Sequence, residues 1–286
     1  MKKILLCLIL PLFILSAFSQ NPSNKQVFEA DLVKILKNTR EYCRKLNGAA
    51  LNFVCLEEVS EKTFQIVQSL QFRGPRGLRV KRNEVRHKYL YDYQYIRKES
   101  RLTEKRILLE EDGRKKRKEQ TSLLTTMFQY ENVIFGPVNL LDEERQFFFN
   151  YKIAGSQDIN GVKTIVLEAT PKPWASQDIS GGTIWVNESD FSILKIEWNQ
   201  EKMKRSKIIM DMAKRYKGTP VVTQTIEFGF EKNGIRFPSR FFIEEAYINK
   251  RGKKTIHSET NVIYRDYKYF TVETKVKYDF ERNGDS

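Results

Sequence analysis

The residues able to do chemistry in this chain are few and scattered. Its two histidines, His87 and His257, sit in Arg86-His87-Lys88 and Ile256-His257-Ser258. Those are ordinary strand contexts, and a surface or packing role accounts for them better than a Ser-His-Asp triad does. Acidic pairs recur at Glu57-Glu58, Glu110-Glu111, Glu143-Glu144 and Glu244-Glu245. Glycoside hydrolysis needs two carboxylates facing one bond, but neighbours on a strand point to opposite faces. Only a dyad drawn from different strands would serve. Trp174, Trp185 and Trp198 could stack on sugars, although core packing explains them as well. Gly74-Pro75 and Gly77, within the basic stretch Phe72–Lys88, fit neither a dinucleotide fingerprint nor a P-loop. The expectation is no catalytic residue, no cofactor and no metal.

The N-terminus reads as an export signal. Lys2 and Lys3 precede an apolar run from Ile4 to Leu15, and Ala17-Phe18-Ser19 supplies a small-x-small site for cleavage before Gln20. The run is short for a membrane span. Cys7 follows Leu6 where lipidation requires a small residue. The expected product is residues 20–286, a single domain, soluble in the periplasm or associated with the outer membrane. Its remaining cysteines, Cys43 and Cys55, would then lie in an oxidising space. An even pair there points to a structural disulfide, worth roughly 3 kcal/mol on the chain-entropy argument. A redox pair would favour the tighter C-x-x-C spacing, and two histidines are too few to suggest zinc.

Charge restricts partners more than it restricts reactions. The chain carries a net +14, which falls to +12 once the signal takes Lys2 and Lys3 away. A basic exported protein can meet anionic headgroups, lipopolysaccharide or acidic polymer. The block Arg114, Lys115, Lys116, Arg117 and Lys118 resembles a nucleic-acid patch, but the export signal argues against that address. It reads instead as a hairpin-tip loop able to touch an anionic surface.

The elements that position these residues are mostly strands. Val27–Leu46 has helical spacing and stops at Asn47-Gly48. Ala49–Val59 reads as a strand, and over Glu61–Leu70 helix and strand compete. Tyr89, Tyr91, Tyr93 and Tyr95 alternate along the next strand as a cross-strand packing face. Leu102–Glu111 follows, ending at the turn Asp112-Gly113. Ser122–Tyr130 and Pro137–Arg145 read as helices, the second opening on a well-placed proline. From Phe147 the pattern is strand after strand: Phe147–Ile153, Val162–Thr170, the hairpin Thr183–Val186 and Phe191–Trp198, Val221–Phe230, Ile235–Ile248, Thr255–Arg265 and Phe270–Phe280. Asn187-Glu188-Ser189-Asp190 and Asn233-Gly234 are its clearest turns. Lys202–Lys217 reads as a strand carrying a basic stripe. The predicted architecture is mainly β (α+β). It is a single curved antiparallel sheet of about ten or eleven strands forming an unclosed barrel, with helices over its concave face.

Three stretches carry a family resemblance. They are Asn160-Gly161-Val162-Lys163-Thr164-Ile165-Val166-Leu167-Glu168, the hairpin Gly182–Glu197, and Asn233-Gly234-Ile235-Arg236-Phe237-Pro238-Ser239. Together they resemble the LolA/LolB-like outer-membrane lipoprotein-sorting proteins over roughly Phe147–Phe280. The resemblance implies a half-barrel whose helices plug an apolar concavity, with acyl chains sheltered there in transit. No functional arginine of that family aligns with a residue here, and this chain is longer and more basic at its loops.

On this reading the protein is a non-enzymatic carrier of lipid or lipoprotein acyl chains and a monomer that binds no nucleic acid. The expected cavity lining is Phe147, Phe149, Tyr151, Ile184, Val186, Ile226 and Phe228. The basic stretches Arg114–Lys118, Lys202–Lys217 and Lys250–Lys254 would face an anionic membrane surface. A sensor or interaction protein of the same fold, binding an envelope partner through its basic surface, is the alternative. A secreted hydrolase of an acidic polymer is a third.

Overall fold

The computed structural model describes residues 22–49, 51–68, 80–98, 101–120, 122–176 and 179–270. The expected signal peptide, the basic stretch at 72–79 and the expected last strand beyond Phe270 lie outside the described residues.

Helix α1 (Pro22–Gly48) opens the described chain. Its buried residues Ile35, Thr39, Tyr42, Cys43 and Leu46 recur at helical spacing and turn one stripe inward. Four strands follow: β1 (Asn52–Gln68), β2 (Val80–Lys98), β3 (Arg101–Glu111) and β4 (Arg114–Gln120). A 3-10 turn over Val133–Phe135 leads into the short helices α2 (Gly136–Leu141) and α3 (Glu143–Gln146). Then come β5 (Phe149–Ile159), β6 (Val162–Pro171), β7 (Gly182–Asn187) and β8 (Ile193–Asn199). Helices α4 (Glu201–Lys204) and α5 (Lys207–Tyr216) separate these from β9 (Gly218–Glu227), β10 (Phe230–Lys232), β11 (Ile235–Phe237), β12 (Arg240–Asn249) and β13 (Lys254–Tyr269).

Eleven strands form one antiparallel sheet in the order β4-β3-β2-β1-β13-β12-β9-β8-β7-β6-β5, and β10 and β11 form a separate hairpin. Two meanders are joined where β1 pairs with β13, with Val59 opposite Val262. Strands β4 and β5 are the two edges, so the barrel is not closed. Bulges interrupt the ladders at Val54/Leu56, Leu90/Tyr91, Ile153/Gly155, Trp185/Val186 and Glu245/Ala246. Each extra residue bends its strand and increases the local twist, which curves the sheet. Three hairpin turns carry an Asx-Gly pair with both residues at positive φ: Asp112-Gly113, Asn160-Gly161 and Asn233-Gly234. That is the turn geometry whose twist matches the flanking strands.

The alternation of β1 shows which face is concave. Phe53, Cys55, Glu57, Val59 and Glu61 are buried, as are Tyr89, Tyr91, Tyr93 and Tyr95 on β2 beside them. Phe241 and Ile243 of β12, Ile226 of β9 and Leu167 of β6 continue that core. Helix α1, the segment 122–146 and α4–α5 roof it. Gly136 marks the closest approach, since a Cβ there would lie 3.3 Å from Ile226 Cδ1 and 3.4 Å from Ile196 Cδ1.

Four expectations are corrected here. The stretch 122–130 is not a helix: the Thr125 hydroxyl donates to the Phe128 carbonyl at 2.7 Å and the Gln129 amide donates to the Thr125 carbonyl at 2.8 Å. Such local side-chain bonds offer the backbone an alternative to a helix. The stretch 202–217 is helical rather than a strand: Ile209 and Ala213 are buried one turn apart, and the Ser206 hydroxyl caps α5 by accepting from Ile209 N. The basic block starting at Arg114 is strand β4 rather than a tip loop. Arg114 pairs with Glu111 and Lys115 with Glu110 across the ladder, a favourable arrangement of opposite charges. The side chains of Arg117 and Lys118 lie outside the described residues. At the strand following α3, Phe147 and Phe148 belong to a turn, so β5 starts at Phe149.

Candidate functional site

The concave face has a polar centre within an apolar surround. Glu57 projects from β1 beneath Arg106 of β3. Arg106 Nε lies 2.5 Å from Glu57 Oε2 and Arg106 Nη2 lies 3.1 Å from Glu57 Oε1. Arg106 Nη2 also reaches Glu104 Oε1 at 2.9 Å. The guanidinium carbon sits 4.7 Å from the Tyr93 ring centroid and 5.3 Å from that of Tyr130, so aromatic faces enclose the cation. Burial by itself would lower the Arg106 pKa, but the Glu57 carboxylate overrides it and holds the group above its ordinary value. Burial pushes the hydroxyls of Tyr93, Tyr130 and Tyr264 well up. Every charge at this centre is matched by a partner, and the tyrosines stay neutral. The arrangement clamps β1 to β3 across β2 and offers no free base or nucleophile.

Beside this clamp the sheet grips its roof. The Glu61 carboxylate accepts from Thr126 N at 2.9 Å, from Met127 N at 3.0 Å and from the Thr126 hydroxyl at 3.1 Å. The Tyr91 hydroxyl accepts from Leu124 N at 3.2 Å, and burial pushes that hydroxyl up to about 12. Tyr95 donates to Asn132 Oδ1 at 3.3 Å, and Glu104 Oε2 accepts from Asn132 N at 3.0 Å. Asn132 is held at φ 51 there. The roof over 122–132 is thus held largely through side chains of the sheet. The tyrosine row does more than cross-strand packing, because its hydroxyls reach this segment. Glu61, Glu104 and Arg106 are not singled out by the sequence, and Glu57 stands out there only as half of the acidic pair Glu57-Glu58. The signal was present, since Glu57 and Glu61 share the period-2 face of Phe53, Cys55 and Val59.

The predicted lining residues largely come together. Phe149, Ile184, Val186, Ile226 and Phe228 are buried in one core, and Tyr151 packs against it with its hydroxyl donating to the Leu140 carbonyl. They are covered by α2, whose Gly136, Pro137, Leu140 and Leu141 are buried on the same surface. Phe147 does not join them. It is 63% exposed, and its ring lies 4.9 Å from that of Trp174 because the turn before β5 directs it outward.

The expected disulfide is absent: Cys43 and Cys55 are both buried free thiols. They face different surroundings, which is why they do not meet. Cys43, on α1, lies within the field of Asp142, whereas Cys55, on β1, bonds Tyr267 and lies near Glu57. Burial pushes both thiols up, so neither is poised as a thiolate. No group of three or more His, Cys, Asp or Glu side chains among the described residues could hold a metal ion.

Several openings flank the filled concavity, two of them beside the elements that roof it. A groove of 490 Å³ between α1 and the β5–β6 region is lined by Lys34, Ile35, Ile153, Ile165 and Phe191. A cleft of 370 Å³ at the strand ends is lined by Pro171, Gly182, Trp198, Gln200, Lys204 and Val222. The Trp198 indole N–H is buried without a partner among the described residues. No helix of the described residues is long and apolar enough to cross a membrane.

The sequence matches no protein-family model and no curated protein. Among solved structures the chain is similar to an outer-membrane lipoprotein-sorting protein domain from Vibrio parahaemolyticus (TM-score 0.36, 12% identity, 84% of this chain and 94% of that one). It is also similar to a LolA superfamily protein from Nitrosomonas europaea (TM-score 0.33, 13% identity, 83% and 94%). A third similar structure is a DUF1329 family protein from Desulfovibrio piger (TM-score 0.34, 11% identity, 84% and 95%).

Proposed function

We propose that this chain is an exported, non-enzymatic protein that binds lipid or lipoprotein acyl chains on its concave face, beneath the roof formed by residues 122–146. The observation that carries this reading is the construction of the roof. An apolar surface that includes Phe149, Ile184, Val186, Ile226 and Phe228 is covered by a short helix and a loop held by side-chain hydrogen bonds. In the ligand-free form the roof keeps water off that surface. In the loaded form an acyl chain takes the place of part of it. Burying about ten methylenes is worth roughly 8 kcal/mol, while each neutral hydrogen bond contributes about 1 kcal/mol net and each bond to the Glu61 or Glu104 carboxylate about 1.5–3 kcal/mol. A long acyl chain therefore has enough driving force to release several roof contacts. The family resemblance in the sequence points the same way, and the proposed compartment is the periplasm.

Native mass spectrometry of the protein purified from envelope without delipidation tests the proposal. Adducts with the mass of an acyl lipid, lost on organic extraction, are the expected result. A ligand-free protein that also fails to take up added long-chain lipid would overturn it. The filled concavity also fits a second reading, an interaction protein of this fold whose roof stays shut. In that case binding of an envelope partner would be unchanged by excess acyl lipid.

A further inference from the structure

The sheet presents two chemically different ends. Because the strands are antiparallel, the β3–β4, β6–β7, β8–β9 and β12–β13 connections all emerge from the same end. Helices α4 and α5 form the β8–β9 connection there. Of the seven large hydrophobic side chains exposed among the described residues, four lie at this end: Phe147 (63%), Trp174 (56%), Ile208 (72%) and Met210 (42%). The rings of Phe147, Phe148 and Trp174 form one cluster with centroids 4.9 to 5.8 Å apart. Lys172 Nζ lies 5.3 Å from the Phe147 centroid and 5.6 Å from that of Trp174. Around these side chains the same end carries exposed Lys207, Arg215, Lys217, Arg251 and Lys253, none of them in an ion pair among the described residues. The hairpin turns at the opposite end carry Asp158, Glu188, Asp190 and Glu231 against Lys163 and Lys232, with Arg97, Lys98 and Arg101 beside the β2–β3 turn, so the contrast lies in the apolar side chains clustered with cations at the first end.

We propose that this end is a docking face for an anionic phospholipid surface, with Phe147, Trp174, Ile208 and Met210 entering the headgroup boundary and the surrounding lysines and arginines contacting phosphates. The combination selects a bilayer. Aromatic rings paired with lysine settle at the level of the headgroups, where one side is apolar and the other wet. A basic helix with exposed apolar residues lies along such an interface, and clustered Lys and Arg are drawn to anionic lipid. The 370 Å³ cleft with Trp198 and Lys204 opens at this same end, so a docked molecule would present it to the lipid. The docking face does not depend on acyl-chain binding in the concavity.

The test is co-sedimentation with vesicles of phosphatidylethanolamine and phosphatidylglycerol, compared with phosphatidylcholine alone, at low and high salt. Binding to the anionic vesicles is expected, falling at least fivefold in Lys207→Glu/Arg215→Glu and in Phe147→Ser/Ile208→Ser. Arg101→Glu, at the opposite end, should bind like the wild type. Tryptophan emission should shift to shorter wavelength on binding, and most of the shift should be lost in Trp174→Phe, because Trp174 is the tryptophan most exposed to solvent. Far-UV circular dichroism confirms folding of each variant. The proposal is overturned by no binding to anionic vesicles at low salt, or by binding with unchanged emission and indifference to these substitutions. It is also overturned if an acidic polypeptide binds this face while vesicles do not. Uptake of a soluble acyl probe by the Lys207→Glu/Arg215→Glu variant, measured without vesicles, reports on the concavity independently of docking.

Discussion

Arg106 and Glu57 show how much one buried pair can impose on this sheet. Each is almost wholly out of solvent, so removing one leaves the other charged and unmatched. Arg106→Ala should destabilise the protein by about 3–5 kcal/mol, whereas Glu57→Leu/Arg106→Met should recover much of that loss, because well-packed apolar replacements of a buried ion pair are often near neutral. Urea denaturation of the three proteins checks this, and equal losses in the single and double variants would contradict it. Inward placement of Glu57 was legible in the alternation of β1. Its partner was not, because Arg106 lies 49 residues away and only the strand order brings them together. The cysteines failed for the same reason: an even pair in an exported chain suggests a bridge, but α1 and β1 direct the two thiols to different neighbours. Mass spectrometry of the purified protein, alkylated with and without denaturant, should find two free thiols that react rapidly only when unfolded. A mass lower by about two hydrogens would restore the bridge.

At the scale of elements, the roof matters most. Apolar residues between Ser122 and Tyr130 suggest a helix, but Glu61, from a strand distant in sequence, takes the N–H groups of Thr126 and Met127. Local periodicity cannot register an acceptor supplied from elsewhere. Segment 202–217 is the opposite case. Its 3.6-residue spacing of Ile209, Ala213 and Tyr216 is a local helical signal, and the helix follows it despite the strands on either side. Glu61→Ala removes the acceptor for three donors and should cost about 2–3 kcal/mol. It should also speed hydrogen exchange at Thr126 and Met127 more than in the β1–β13 ladder. Uniform acceleration throughout the sheet would show that the roof is not a separable unit.

For the whole molecule, the antiparallel sheet was legible because its Asx-Gly turns and alternating strands are local signals. The pairing of β1 with β13 is not local, and it makes one open sheet of two meanders. That joint concentrates tyrosines on the concave side, and their protonation links stability to pH. Burial raises Tyr89 and Tyr91 from 10.0 to about 12 and pushes Tyr93, Tyr264 and Tyr267 well above their ordinary value. Between those values the unfolded chain has released protons that the folded chain retains, so stability should be complete below pH 10 and fall steadily as pH rises toward 12. Urea midpoints taken between pH 8 and pH 11.5, with tyrosinate absorbance followed in parallel, would show this. A flat midpoint across that range would contradict the burial of the row.

The proposed role requires that the roof be released when the concave face takes an acyl chain. Release would then be part of the cost of binding, and loosening the roof should tighten binding by about tenfold for each 1.4 kcal/mol of roof stability removed. Equilibrium binding of a fluorescent long-chain acyl probe to the wild type and to Glu61→Ala measures this directly. The expected result is saturable binding to both, tighter by at least fivefold in Glu61→Ala and abolished when Ile226→Glu is added to that variant. Absence of saturable binding to either protein, or affinity unchanged by Glu61→Ala and by Ile226→Glu, would contradict it.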